Sequence, residues 1–373
     1  MATDAGLPTQ AEKMCGSVGD DATKLITPRI FIITMFSQEA TNWLAEDNAI
    51  NFDKAIRVPG LSHGYEDVRF DAKKGVCLMT TGIALVNAAL SISALTTSPI
   101  FDLTKTYFIL SGIAGVNPKV ATIGSVALAK LAVQVDIQLE FDAREVPESW
   151  GTGYLPIGAP THGSFPSTFT GSEVFELNDN LRRIALSFAK TATLVDSEAA
   201  IANRVLYAGS VDGVFDAAAL QKPCVVEGDV TASNMFWHGR HLAEGFEDLV
   251  NLYTNGHAKY CMTAMEDTAI LAALLRAALQ KRVDFSRIVL MRAGSNFDRG
   301  PKKDDVVSLP FVIDHGGFQP ACRNLYLAGL EVVSGILESW DVFAAGIEAD
   351  NYTGDIFGSL GGKPGFGPDA VMQ

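Results

Sequence analysis

The sequence predicts an α/β domain built on a largely buried sheet, and three observations predict it. Short β-branched runs such as RIFIITM (Arg29 to Met35) and RIVLM (Arg287 to Met291) read as strands covered on both faces. These runs alternate with segments of helical periodicity. Of the 373 residues, 48% are apolar, enough for a large core. No internal repeat or strong linker divides the chain. The expected organisation is a polar arm (1–27), one domain (28–353) and a Gly- and Pro-rich tail (354–373).

Arg29 to Met35 is a strand, and SQEATNWL from Ser37 reads as a helix. Val76 to Met79 is a second strand, followed by helical spacing from Thr81 to Leu95. Tyr107 to Leu110 is a third strand, with a glycine turn expected at Ser111 to Gly115. Ala121 to Val135 reads as one or two strands. Asp142 to Pro166 is expected to be a long ordered loop. Glu173 to Ala192 has helical periodicity. Lys222 to Val226 is a strand ending at Gly228-Asp229. Ala264 to Leu279 is the clearest helix. Arg287 to Met291 is a strand, and Arg292 to Pro301 is expected to be a polar turn. Asn324 to Ala349 reads as a strand start running into a long helix. In such sheets ligands sit at the carboxyl ends of strands. That singles out Phe36 to Glu39, Thr80 to Gly82, Ser111 to Gly115, Gly228-Asp229 and Arg292 to Asp298.

The formal net charge of -14 argues against nucleic acid and against an anionic membrane surface. The most apolar stretch, Gly75 to Leu95, is interrupted by Thr80, Thr81, Asn87, Ser91 and Ser93, so no spanning helix is expected. Met1 to Lys24 has no apolar core of a signal peptide. The cysteines, Cys15, Cys77, Cys224, Cys261 and Cys322, are odd in number and widely spaced. They predict thiols in a reducing, cytoplasmic setting, without a disulfide framework. His238 and His241 stand three apart but lack a matched carboxylate or cysteine, so no metal and no cofactor is expected.

Each candidate motif has a plain structural reading beside the functional one. Glu39, in IITMFSQE, can be a general base in a semi-enclosed pocket, or a carboxylate favoured by the helix dipole. Thr81 and Gly82 can face a ligand, or simply begin a helix. The glycines of SGIAGVNP, Gly115 among them, allow a flat ligand close to the backbone, or a tight turn. Met265 and Glu266 open a helix where a carboxylate could accept hydrogen bonds from a vicinal diol. Ser295, Asn296 and Asp298, in RAGSNFDRG, could face a base edge or form a polar turn. In NMFWHGRH, Phe236 and Trp237, beside the polar candidate Asn234, suit stacking on a heterocycle, or the core. His63 and Tyr154 are further lining candidates.

The order of these motifs is more specific than any of them alone. From about Ile30 to Ala349 the chain resembles the nucleoside phosphorylase I superfamily. Within it, the chain is similar to the group named purine nucleoside permeases, most specifically over Tyr107 to Glu145 and in WGTGYLPIG from Trp150. The resemblance implies a central twisted mixed sheet flanked by helices, and a homodimer or higher homo-oligomer. It implies cleavage of the N-ribosidic bond of purine nucleosides such as inosine, guanosine or adenosine, in nucleoside salvage. It places Met265 and Glu266 on the ribose hydroxyls, and Thr81 and Gly82 on the phosphate or water side. Gly112, Ala114 and Gly115 fall beside the purine, Ser295 and Asn296 near its N7, and Phe236 and Trp237 where aromatics stack on the base. Glu39 falls on the position of a water-activating glutamate.

Two positions depart from the pattern. Asn296 stands where the superfamily has an aspartate, which favours 6-oxopurines and leaves protonation to Asp298. Leu110 and Ile113 stand where hexameric phosphorylases have an arginine and a serine that bind phosphate. The expectation is therefore a purine nucleoside N-ribohydrolase using water. The alternatives are a phosphorylase, with Arg240 or Arg292 binding phosphate, and a non-catalytic nucleoside-binding protein.

Overall fold

A computed structural model describes residues 25–45, 49–302 and 315–368. The expected polar arm lies almost wholly outside the described residues, as do the last residues of the tail, 369–373. At the centre, β1 (Ile30–Thr34) is buried along its whole length and lies parallel between β4 (Val76–Thr80) and β5 (Tyr107–Val116). Successive side chains of a strand point to opposite faces. Phe31, Ile33, Cys77, Met79 and Phe108 therefore feed one core, with α2 (Leu85–Thr97) and α6 (Asp267–Leu279). Ile30, Ile32, Val76, Leu78 and Ile109 feed the other, with α3 (Asp179–Ala189) and α7 (Phe318–Glu338). The result is three layers, with a mixed sheet between helices.

Beyond β4 the sheet continues through β3 (Asp67–Asp71) to β2 (Lys54–Arg57). Past β5 the sheet continues through β13 (Tyr260–Ala264), β12 (Asp229–Ala232), β7 (Leu131–Gln134), β10 (Val174–Glu176) and β15 (Gly354–Asp355). A branch runs from β5 through β14 (Ile288–Phe297) and β6 (Val126–Ala129) to β11 (Val225–Glu227). Outside the sheet, β8 (Gln138–Glu140) and β9 (Tyr154–Pro156) pair with each other. The remaining helices are α1 (Ser37–Thr41), α4 (Glu198–Val205), α5 (Arg240–Thr254) and α8 (Trp340–Phe343).

The branch at β5 makes the site. One edge of β5 pairs with β14 along nearly its whole length. The opposite edge pairs with β1 up to Leu110 and with β13 only at Gly115 and Val116. Between these, Ser111 to Ala114 have no ladder partner on that edge among the described residues. The sheet splits there.

Several expected boundaries move, each for a physical reason. Ser111 to Gly115 is strand, not turn, because its glycines serve close packing. A Cβ on Gly112 would lie 2.1 Å from Nη1 of Arg292, and one on Gly115 2.5 Å from Oγ1 of Thr263. Arg292 to Phe297 is likewise strand, since pairing with β5 and β6 outweighs its polar composition. Glu173 to Ala192 divides into β10 and α3, separated by Asn178, whose side chain accepts from the Leu181 N–H at 3.1 Å. The last long helix begins at Phe318, not with a strand near Asn324; Pro320 is tolerated in its first turn. The expected 142–166 loop contains β9, and the tail contributes β15 to the sheet edge.

Candidate active site

The split in the sheet opens a cavity of about 310 Å³. Glu39, Gly115, Phe236, Met265, Glu266, Ser295 and Asn296 all line it, although they come from distant parts of the chain. Phe36, Ile83, Ile113, Ala114, Thr263, Ala264, Arg292, His315 and Phe318 complete the wall.

Glu39 is the more buried of the two carboxylates that line the cavity, 1% exposed. α1 has no side-chain cap from Phe36, and Glu39 reaches back to accept the Met35 N–H at 2.7 Å. Its other oxygen accepts the Ile113 N–H at 2.7 Å, in the gap where β5 lacks a strand partner. The helix-start reading of this residue is thus correct as structure, and the same geometry presents the carboxylate to the cavity. Burial pushes its pKa up to about 8, against the lowering influence of Arg292 and the two backbone donors.

Glu266 sits at the N-terminus of α6, 4% exposed. One oxygen accepts the Ala84 N–H at 3.0 Å; the other lies 3.4 Å from Nη2 of Arg292. Burial raises its pKa, and Arg292 opposes the rise. Ala84 holds φ 79° and ψ 160°, a region nearly reserved for glycine. That backbone aims its N–H at Glu266.

Arg292 lies opposite Gly112 in the β5–β14 register, and the absent Cβ lets its guanidinium cross β5. It is 1% exposed, and hydrogen bonds engage four of its five N–H groups. Its Nε donates to both oxygens of Asp267 at 3.1 Å, its Nη2 to Asp267 Oδ1 at 2.5 Å, and its Nη1 to the Ile113 carbonyl at 3.1 Å. Burial disfavours the charge, but Asp267 and Glu266 hold its pKa well above the ordinary value.

Ser295 is the extra residue of a bulge in β14, between Gly294 and Asn296. The bulge turns both Ser295 and Asn296 toward the cavity. The Ser295 hydroxyl lies 2.9 Å from the Asn296 amide oxygen and 3.1 Å from the Ala114 carbonyl. The Asn296 Nδ2 donates to the Phe297 carbonyl at 3.0 Å, leaving its second hydrogen for a ligand.

Other expected residues stand outside the lining. Asp298 is buried behind it, bonded to the Tyr260 hydroxyl and to Arg299 at 2.8 and 2.9 Å. Trp237 packs edge-on against Phe246, while its neighbour Phe236 faces the cavity. Thr81 is buried, its hydroxyl bonded to the Gly82 carbonyl at 2.9 Å; Gly82 has φ 81° and abuts Ser62. Asn234 caps α2 through the Leu85 N–H at 3.2 Å. Asp229 binds backbone N–H groups of Lys130, Leu131 and Lys259. His63 is exposed beside Glu66, and Arg240 pairs with Glu244 at 2.8 Å. Tyr154 lines a larger cavity, about 590 Å³, between the β8–β9 hairpin and α5. In that cavity His162, His241 and Asp248 are exposed and Tyr154 and Glu244 half-buried, whereas the two carboxylates lining the smaller cavity, Glu39 and Glu266, are buried. Sequence reasoning missed Asp267, although it stands beside Glu266 in the same motif.

A profile of the purine nucleoside permease family matches residues 27–348. The chain belongs to that family. A purine nucleoside permease of Candida albicans is 39% identical over 350 residues, covering 92% of this chain and 84% of the relative. A probable purine nucleoside permease of Schizosaccharomyces pombe is 34% identical, covering 91% of this chain and 97% of the relative. Among solved structures, a Neisseria meningitidis 5'-methylthioadenosine/S-adenosylhomocysteine nucleosidase matches at 18% identity, TM-score 0.46, over 83% of this chain and 99% of that one. The futalosine hydrolase of Helicobacter pylori matches at 16% identity, TM-score 0.46, over 82% and 98%. In this member of the permease family, no helix among the described residues is long and apolar enough to cross a membrane.

Proposed function

We propose that this chain hydrolyses the N-ribosidic bond of purine nucleosides in the cavity at the β5 branch. The observation that carries the reading is Glu39: a buried carboxylate with its pKa raised to about 8, fixed by two backbone donors, facing a cavity whose arginine is already occupied. The names of the relatives supply the substrate class, a purine nucleoside.

In this reading Glu266 accepts hydrogen bonds from the ribose diol, and its contacts to Ala84 and Arg292 fix its orientation. Glu39 in its ionised form takes a proton from water as the water adds to the anomeric carbon. The C–N bond breaks through an oxocarbenium-like state, which the nearby carboxylates stabilise. The leaving purine takes the bonding electrons, the free Nδ2 hydrogen of Asn296 bonds the N7 of the resulting anion, and the base gains a proton from solvent while Glu39 returns its own to solvent. Phe36, Phe236 and Phe318 supply the apolar wall for base and sugar. Asp298, already engaged by Arg299 and Tyr260, serves the position of β14 and not proton transfer.

Inosine, incubated in phosphate-free buffer and then with added phosphate, tests the reading. Hypoxanthine and free ribose should appear at a rate indifferent to phosphate. Ribose 1-phosphate formed only with phosphate would overturn it in favour of phosphorolysis. Tight nucleoside binding without base release would favour a binding protein, the second reading, which the relatives' name supports.

A further inference from the structure

A dianionic co-substrate needs a free cation, and the cavity's arginine is not free. Asp267 is 0% exposed and takes Nε and Nη2 of Arg292 in a bidentate clasp, with distances of 2.5 to 3.1 Å. One hydrogen of Nη1 goes to the Ile113 carbonyl, and Nη2 also faces Glu266 at 3.4 Å. No lysine and no second arginine lines this cavity among the described residues. An arginine clasped by a carboxylate in this way cannot offer its fork to phosphate without leaving Asp267 buried and unpaired.

We infer that Asp267 is a positioning and co-substrate-selecting residue: by occupying the guanidinium of Arg292 it closes the cavity to phosphate and leaves water as the acceptor of the ribosyl group. The inference rests on the proposed ribosyl chemistry for its meaning, but its anion-binding consequence stands apart from catalysis. With Asp267 neutral, Arg292 keeps Glu266 as its acidic neighbour and loses the charge that matches its own beside the cavity. Glu39, whose carboxyl is protonated at pH 7, then adds little repulsion toward an entering anion.

Asp267→Asn keeps the shape and one acceptor while removing the charge. The first measurement is thermal melting at pH 7 against inorganic phosphate and, separately, sulfate. Wild type should melt at the same temperature with and without either anion. Asp267→Asn should gain stability with both, with an affinity about tenfold or more above any wild-type response. Phosphate should also compete with inosine in the variant alone, or yield ribose 1-phosphate. A folded Asp267→Asn that stays indifferent to both anions overturns the inference. If the variant does not fold, wild type decides: melting that rises with phosphate means that Arg292 is open despite Asp267, and also overturns it. Absence of any hydrolysis by wild type would sink the proposed function yet leave the anion response readable.

Discussion

Two buried arginine–carboxylate centres lie on the same stretch of chain, and they differ in what they leave over. Around Arg299, Asp298 receives the guanidinium on both oxygens and the Tyr260 hydroxyl as well; Tyr207 bonds the Arg299 carbonyl at 2.6 Å. Burial keeps the Tyr260 hydroxyl protonated, with its pKa well above the ordinary value, so it donates to Asp298 throughout the usual pH range. Asp298 lines no part of the smaller cavity. Around Arg292 the same pairing chemistry is arranged at the edge of a split sheet. Asp267 closes the guanidinium, but Glu266 and Glu39 keep a face toward the cavity. A buried ion pair is therefore a lock or a site depending on whether the backbone beside it is paired.

The lock should show the largest effect on stability. Asp298→Ala strands Arg299 and Tyr260 in the interior, and should cost about 3–5 kcal/mol, read by denaturant unfolding. A loss below about 1 kcal/mol would mean that the two centres do not differ as described.

The site should show the largest effect on rate. Glu39→Gln should lower turnover of inosine about a hundredfold or more while binding changes little, and wild-type activity would remove Glu39 from the reaction. Its pH dependence sharpens the contrast. The folded protein holds the Glu39 proton up to about pH 8, whereas the unfolded chain releases it near 4.5. Because the pKa is raised on folding, this group's contribution is fullest at low pH and is lost as pH rises from about 4.5 to about 8, by up to roughly 5 kcal/mol. Glu39→Gln should flatten that slope, measured as unfolding free energy against pH. In wild type, kcat/KM should rise with pH and level off above about 8, as the ionised base is the active form.

The same contrast explains what could be read in the sequence. β1 and β4 were legible because strands buried on both faces must be apolar throughout, and Ile30 to Thr34 and Val76 to Met79 nearly are. The carboxyl halves of β5 and β14 were not. Gly112, Gly115, Arg292, Ser295 and Asn296 look like turn residues, and only their mutual pairing makes them strand. Glu39, Met265 and Glu266 could be singled out by local pattern and by resemblance. The pairing of Arg292 with Asp267 could not, since it joins residues from β14 and α6 that no periodicity links. Phe236 and Trp237 were indistinguishable as neighbours, yet one faces the cavity and the other the core.

The smallest expected effect concerns the backbone that aims at Glu266. Ala84 sits at φ 79° and ψ 160°, where a Cβ costs about 1–3 kcal/mol. Glycine adopts that conformation freely but loses more entropy on folding, by about 0.5–1 kcal/mol. Ala84→Gly should therefore stabilise the fold by about 1 kcal/mol. If the strain serves only to start α2, inosine kinetics should not change. If it serves to hold the Glu266 carboxylate, the looser loop should raise KM for inosine with little change in kcat, because Glu266 would lose a fixed donor at 3.0 Å and not a reacting group. A variant that is less stable than wild type would show that the strain is not stored at Ala84 at all.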